Sequence, residues 1–185
     1  MSPISQRADA SRNAARLLAA ARALVAEAGN EVALDEVARR AGVGNATLYR
    51  HFPTRGDLLV AVYADEVAAL CRRGEQLRGA GDPLAALFAW LDDFVEHVAT
   101  KRPLALAATE GPTGRRTTLF DEWHASVNAA AAGLFELAAP RLRPSVTALD
   151  LLTVAAGAAV TAADAAHARR LVGLIRDGVT APGEG

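Results

Sequence analysis

Apolar residues in this chain recur every three or four positions and seldom every second one. That spacing belongs to amphipathic helices, not to half-buried strands. Glycines and prolines cut the pattern into helix-length pieces. The first helix is expected at Ser11–Ala28, with Leu17, Leu18, Ala21, Leu24 and Val25 on one face and Gly29-Asn30 as the stop. Two short helices follow, near Leu34–Ala41 and Asn45–His51. A long one runs from Gly56-Asp57 to Arg78. After the break at Gly79–Pro83 the next helix reaches Thr100, and a short piece begins at Lys101-Arg102-Pro103 and ends near Thr109. Gly111–Gly114 reads as a loop. Three more helices are expected at Arg116–Ala139, Ser145–Ala163 and Ala165–Asp177, before a loose tail from Thr180. The fold class is all-α: a three-helix unit over residues 1–55 and a helical bundle over 56–185.

Composition narrows the function classes. The 185 residues are 51% hydrophobic and 22% charged, enough to bury a core. A formal net charge of −1 excludes a chain coated in positive charge, though not a local basic patch. Residues 1–58 carry eight arginines against six acids. One cysteine, Cys71, rules out an internal disulfide and a thiolate metal cluster. It reads as a small helix residue or, if nearby arginines lower its pKa, a redox sensor. The longest uncharged apolar run, Leu151–Ala163, has 13 residues, too short to span a bilayer. Charges at Arg7, Asp9 and Arg12 do not fit a secretory signal. A cytoplasmic protein without membrane contact is expected. No glycine-rich phosphate loop, Gly-x-Ser-x-Gly or His-Glu-x-x-His occurs, so no enzyme, cofactor or metal is expected.

Leu34–Phe52 carries the functional signal. Two helices of about two turns flank a turn at Gly42, where glycine adopts positive φ without cost. Ala38 and Ala41 are small enough for close helix crossing, and Val37, Val43, Leu48 and Phe52 can bury together. This is helix-turn-helix geometry, whose second helix enters the DNA major groove. Asn45, Thr47, Tyr49, Arg50 and His51 expose donors on that helix. Asn45 and Thr47, near its N-terminus, suit base edges, and Ala46 allows close approach or contact with a thymine methyl. Tyr49, His51 and Arg55 suit phosphates. Arg7, Arg12 and Arg16 form either an arm on the phosphates or a solvated face.

Residues 12–62 resemble the DNA-binding domain of the TetR/AcrR family of transcriptional regulators. The resemblance rests on Asp35-Glu36-Val37-Ala38, Ala41-Gly42-Val43, the run from Thr47-Leu48-Tyr49-Arg50-His51-Phe52-Pro53-Thr54 to Arg55, and Leu58-Leu59. The chain departs from the family's pattern at Ala33, where a hydroxyl cap worth about 1 kcal/mol is usual, and at Gly44, Ala46 and Arg55.

One recognition helix reads half a site, so a palindromic double-stranded operator and a homodimer are expected. The resemblance implies a four-helix interface from the last two helices of each subunit, with Leu152, Ala155, Ala159, Leu171 and Ile175 as candidates. It also implies a small-molecule effector bound among the middle helices. Candidate pocket residues there are Trp90, Phe94 and His97, with Phe120, Trp123, His124, Val127 and Asn128 further on. An apolar cavity with a few polar groups is the form such sites take, but each aromatic equally suits an ordinary core. His97 lacks a partner at metal-ligand spacing. The reading is a ligand-responsive DNA-binding repressor. The alternative is a helical binding or accessory protein whose helix-turn-helix no longer reads DNA.

Overall fold

A computed structural model describes residues 3–29, 31–108 and 113–181, with side chains described except at 3–8, 102–103, 106–108, 113–117 and 120. Among the described residues the chain is helical: α1 (Pro3–Ala28), α2 (Leu34–Ala41), α3 (Asn45–His51), α4 (Arg55–Leu77), α5 (Pro83–Ala108), α6 (Thr113–Ala138), α7 (Ala148–Thr161) and α8 (Ala165–Val179). A single 3-10 turn covers Ala139–Arg141, where Pro140 ends α6.

Two compact units emerge, one from residues 1–65 with 103–116, the other from 66–102 with 117–185. In the first, Leu17, Ala21 and Leu24 of α1 are buried, as are Val37, Ala38 and Ala41 of α2, Leu48 of α3 and Leu58, Leu59 and Val62 of α4. Arg22 of α1 pairs with Asp65 of α4 at 2.7 Å. The start of α4 thus belongs with the helices before it.

In the second unit the core gathers Leu70, Leu87, Trp90, Leu91, Phe94, Val95, Leu134, Leu151, Leu152, Ala155 and Val172. Trp90 is fully buried, donates from Nε1 to the Leu70 carbonyl at 3.0 Å and stacks on Phe94 with ring centroids 5.7 Å apart. The last three elements are fixed by local polar chemistry. Thr147 and Asp150 form a reciprocal capping box on α7, and Asp164 accepts from the His167 amide to start α8. Backbone bonds from Arg143 to Val179 and from Ala181 to Arg141 lace the end of α8 to the segment after α6.

Several boundaries differ from the sequence reading. α1 begins at Pro3 instead of Ser11, because the polar first turns continue the helix without an apolar signal. α5 runs unbroken through Pro103 to Ala108, where a separate piece was expected. Proline inside a helix costs about 3 kcal/mol, and burial of Leu104 and Ala105 immediately after it offsets that cost. Thr113 and Gly114, expected in a loop, open α6, whereas Gly111 and Pro112 lie outside the described residues. α7 starts at Ala148, three residues after Ser145, because Thr147 is its cap. α8 continues past Gly178 to Val179, and Thr180 is bridged to Leu142 instead of loose.

Candidate nucleic-acid interface

The reading head follows from short-range rules. α2 places Asp35 and Glu36 in its first turn and Arg39 and Arg40 in its last, matching both ends of the helix dipole. Gly42 ends it with φ 62° and ψ 39°. The Gly42 and Val43 amides return to the Arg39 and Ala38 carbonyls at 3.2 and 3.0 Å, a Schellman closure. Arg16 of α1 sits against this turn, its Nη2 donating to the Gly42 carbonyl at 3.4 Å. A Cβ at position 42 would stand 2.7 Å from that nitrogen. The positive φ is what favours glycine here, since the Arg16 guanidinium is the far end of a flexible side chain that can shift. Gly44 leads into α3, which ends at His51 because Pro53 follows closely. Thr54 and Asp57 then cap α4 reciprocally.

Neither α2 nor α3 has a side-chain cap at its start, since Ala33 and Gly44 occupy those positions. Ala33→Ser is expected to stabilise the chain by about 1 kcal/mol. The check is thermal unfolding, with a rise of about 2–4 °C for a chain of this size.

The sequence-predicted contact residues all keep some exposure. Asn45, Ala46, Tyr49 and Arg50 are exposed, and Thr47, His51 and Arg55 are partly so. Tyr49 is 45% exposed although Leu48 beside it is fully buried, so α3 turns its phenol outward while anchoring through leucine. Arg50 Nη2 donates to the Thr47 hydroxyl at 3.2 Å. Asn45 Nδ2 donates to Asp35 Oδ1 at 3.1 Å, and the Tyr49 hydroxyl lies 3.5 Å from the same oxygen. Arg55 pairs with Glu31 at 3.3 Å. Arg39 pairs with Glu36, and Arg40 with Glu27 of α1. Arg39 and Arg40, by their hydrogen bonds above all, hold the Glu36 and Glu27 carboxyls below the ordinary glutamate value.

Sequence reasoning missed Asp35, Glu31 and the position of Arg16 at the turn. One signal was available. Asn45 and Tyr49 are four residues apart and share a helix face, so a residue of α2 facing one would face the other.

In the second unit the expected pocket residues differ in burial. Trp90 and Phe94 are core residues, and Trp123 is buried. His124 and Asn128 are exposed, Val127 is half-buried, and the Phe120 side chain lies outside those described. Of the set, His97 alone lines the cleft of about 560 Å³ found among the described residues, between Glu66, Leu70 and Arg73 of α4 and Asp93, Glu96 and Lys101 of α5. Five of its nine lining residues carry charge. Arg73 pairs with Asp93 at 3.1 Å and Lys101 with Glu66 at 3.4 Å, while Arg169 of α8 bonds Glu96. Burial pushes the His97 imidazole down to about 4, with Glu66 opposing and Lys101 reinforcing the shift.

The candidate interface residues also divide. Leu152, Ala155 and Ala159 are buried in the core of their own chain, and Leu171 and Ile175 are half-buried. The exposed apolar residues of α7 and α8 are Leu149 (64%), Val154, Val160 and Leu174 (67%). No helix of the described residues is long and apolar enough to cross a membrane.

Comparison with known proteins gives two family matches. Residues 17–62 match the family model described as bacterial regulatory proteins, tetR family, and residues 82–181 match the C-terminal domain of SbtR-like transcriptional regulators. A TetR transcription regulatory protein from Mycobacterium vanbaalenii is similar in structure, with 32% identity, a TM-score of 0.73, and coverage of 95% of this chain and 99% of its own. A TetR transcriptional regulator from Streptomyces coelicolor shows 32% identity, a TM-score of 0.74, and coverage of 91% and 98%. The fold is shared by a transcriptional regulator, FadR, from Bacillus subtilis, solved with stearoyl-CoA, at 15% identity, a TM-score of 0.63, and coverage of 88% and 97%. No curated protein sequence matches the chain.

Proposed function

The chain belongs to the TetR family of bacterial transcriptional regulators, and from that membership we propose that it is a homodimeric repressor that leaves a palindromic operator when a small molecule binds its C-terminal unit. Regulation of transcription through a DNA-binding helix-turn-helix goes with the family. The observation that carries the finer reading is the outward face of α3, where five polar side chains project from a helix anchored by one buried leucine. Such a helix presents donors to a major groove and has no packing reason to do so.

A dimer supplies the second half-site. Leu149, Val154, Val160 and Leu174 offer it an apolar surface on α7 and α8, which flank the core residues first expected there. Release by an effector requires only that the ligand prefer the conformation with lower DNA affinity, and operator DNA then weakens effector binding by the same factor. The stearoyl-CoA complex of the Bacillus subtilis relative supports a small-molecule role for the C-terminal unit. We place the protein in the cytoplasm, where its DNA is.

Fluorescence anisotropy tests this. The probes are DNA from upstream of the protein's own gene, scrambled DNA of equal length, and sites selected from a random pool. Selective binding by two protomers is expected, with log affinity falling by about 0.9 per contacted phosphate per decade of salt. Tyr49→Ala is expected to weaken operator binding roughly tenfold with the far-UV helix signal unchanged, as for one lost anchoring contact of about 1.4 kcal/mol. Salt-insensitive binding, or equal affinity for every sequence including the selected pool, would overturn the reading.

A further inference from the structure

The outward face of α3 is organised by a residue that lies outside α3. Asp35, in the first turn of α2, directs one oxygen at two side chains of the reading helix. An ionised carboxylate only accepts hydrogen bonds, whereas an asparagine amide has a donating end and an accepting end. Beside Asp35, Asn45 must therefore turn its nitrogen inward, and its Nδ2 does so at 3.1 Å. The carbonyl oxygen is left on the exposed side. The Tyr49 hydroxyl, one turn along, lies 3.5 Å from the same oxygen.

We propose that Asp35 is a specificity-determining positioning residue, which fixes the Asn45 amide with its oxygen outward and so makes the head of α3 select a base bearing an exocyclic amine. In the major groove that means adenine, through N6, or cytosine, through N4, while guanine and thymine present oxygens there. The proposal rests on α3 being the reading helix. Asp35 also favours the N-terminus of α2 by its charge, as Glu36 does, so a stability change alone says nothing about specificity. Its negative charge opposes phosphate. Removing it should lower selectivity while leaving affinity for unrelated DNA unchanged or higher, the opposite of what general damage to the head would do.

The test is selection from a random DNA pool with the full chain, comparing wild type, Asn45→Ala, Asp35→Ala and Asp35→Asn, with circular dichroism as the folding control. One position per half-site, preferring adenine or cytosine roughly tenfold or more, is expected to flatten in Asn45→Ala. The same position flattens in Asp35→Ala, and the double variant is no flatter than Asn45→Ala alone. Asp35→Asn, whose amide can donate as well as accept, no longer forces the Asn45 orientation and flattens the position in part. Three results would overturn the proposal: a position that stays selective in Asp35→Ala, an Asn45-dependent position that prefers guanine or thymine, or no Asn45-dependent position. A wild-type selection that yields no motif overturns the DNA-reading premise and the proposal with it.

Discussion

Trp90→Ala lowers the free energy of unfolding by about 4 kcal/mol, the range for deleting a large aromatic from a packed core. Trp90 is wholly buried, its Nε1 bonds the Leu70 carbonyl, and its ring stacks on Phe94. Alanine removes the dispersion contacts, the hydrogen bond and the stack together, and the neighbouring helices cannot collapse fully into the space. Urea denaturation followed by circular dichroism measures the loss. Gly74 gives an internal check. A Cβ there would lie 3.1 Å from Trp90 Nε1 and 3.5 Å from the Ala130 Cβ. Alanine in a helix interior is normally worth roughly 1 kcal/mol over glycine. In the wild type that gain is opposed by Trp90. With Trp90→Ala the obstruction is gone, so Gly74→Ala should stabilise only in that background. Additive effects of the two substitutions would show that Trp90 and Gly74 do not share this contact.

The second large effect is a loss of stability on mild acidification, and it has one main source. His97 titrates near 4 in the folded chain, against 6.5 when unfolded. Between those values the unfolded chain binds the extra proton, so stability falls as pH drops through 6.5 and levels off below 4. The full loss is on the order of 3 kcal/mol. Lys101 and Glu66 flank the imidazole from α5 and α4 and act in opposite directions, so burial governs the shift. Glu27 and Glu36, with carboxyls already held low by arginines, lose their contributions only below the ordinary glutamate range. The window from pH 6.5 to 5 therefore belongs to His97. His97→Leu is expected to flatten the curve there, and denaturation midpoints measured at pH 7, 6 and 5 compare the two proteins. An unchanged slope in His97→Leu would reassign the acid sensitivity to other groups.

What could be read from sequence was set by how local each determinant is. The turn at Gly42 and the ends of α2 and α3 depend on residues within a few positions, a glycine at positive φ and a following proline, and both helices stand where spacing put them. Pro103 misled for a tertiary reason, since burial of Leu104 and Ala105 overrides a local break. On α7 the apolar stripe was visible, but periodicity does not say what covers a stripe. Leu152, Ala155 and Ala159 face their own core, and the exposed residues lie on the opposite side. Periodicity likewise did not show that Trp90 and Phe94 stack on each other, and it left the polar cleft around His97 unseen, because its walls come from α4 and α5 residues about 30 positions apart.

Three arginines of the reading head are already matched with acids, Arg39 with Glu36, Arg40 with Glu27 and Arg55 with Glu31, whereas Arg50 bonds the Thr47 hydroxyl. A phosphate that pairs with one of these three must therefore exchange places with a carboxylate. A genome offers about 10⁶–10⁹ competing sites, and every unrelated stretch of DNA sets the same exchange cost against the counterions it releases. Only a site that also satisfies the outward side chains of α3 gains more than it gives up. The matched acids act as a tax on random binding, which keeps more of a small pool of regulator free to search.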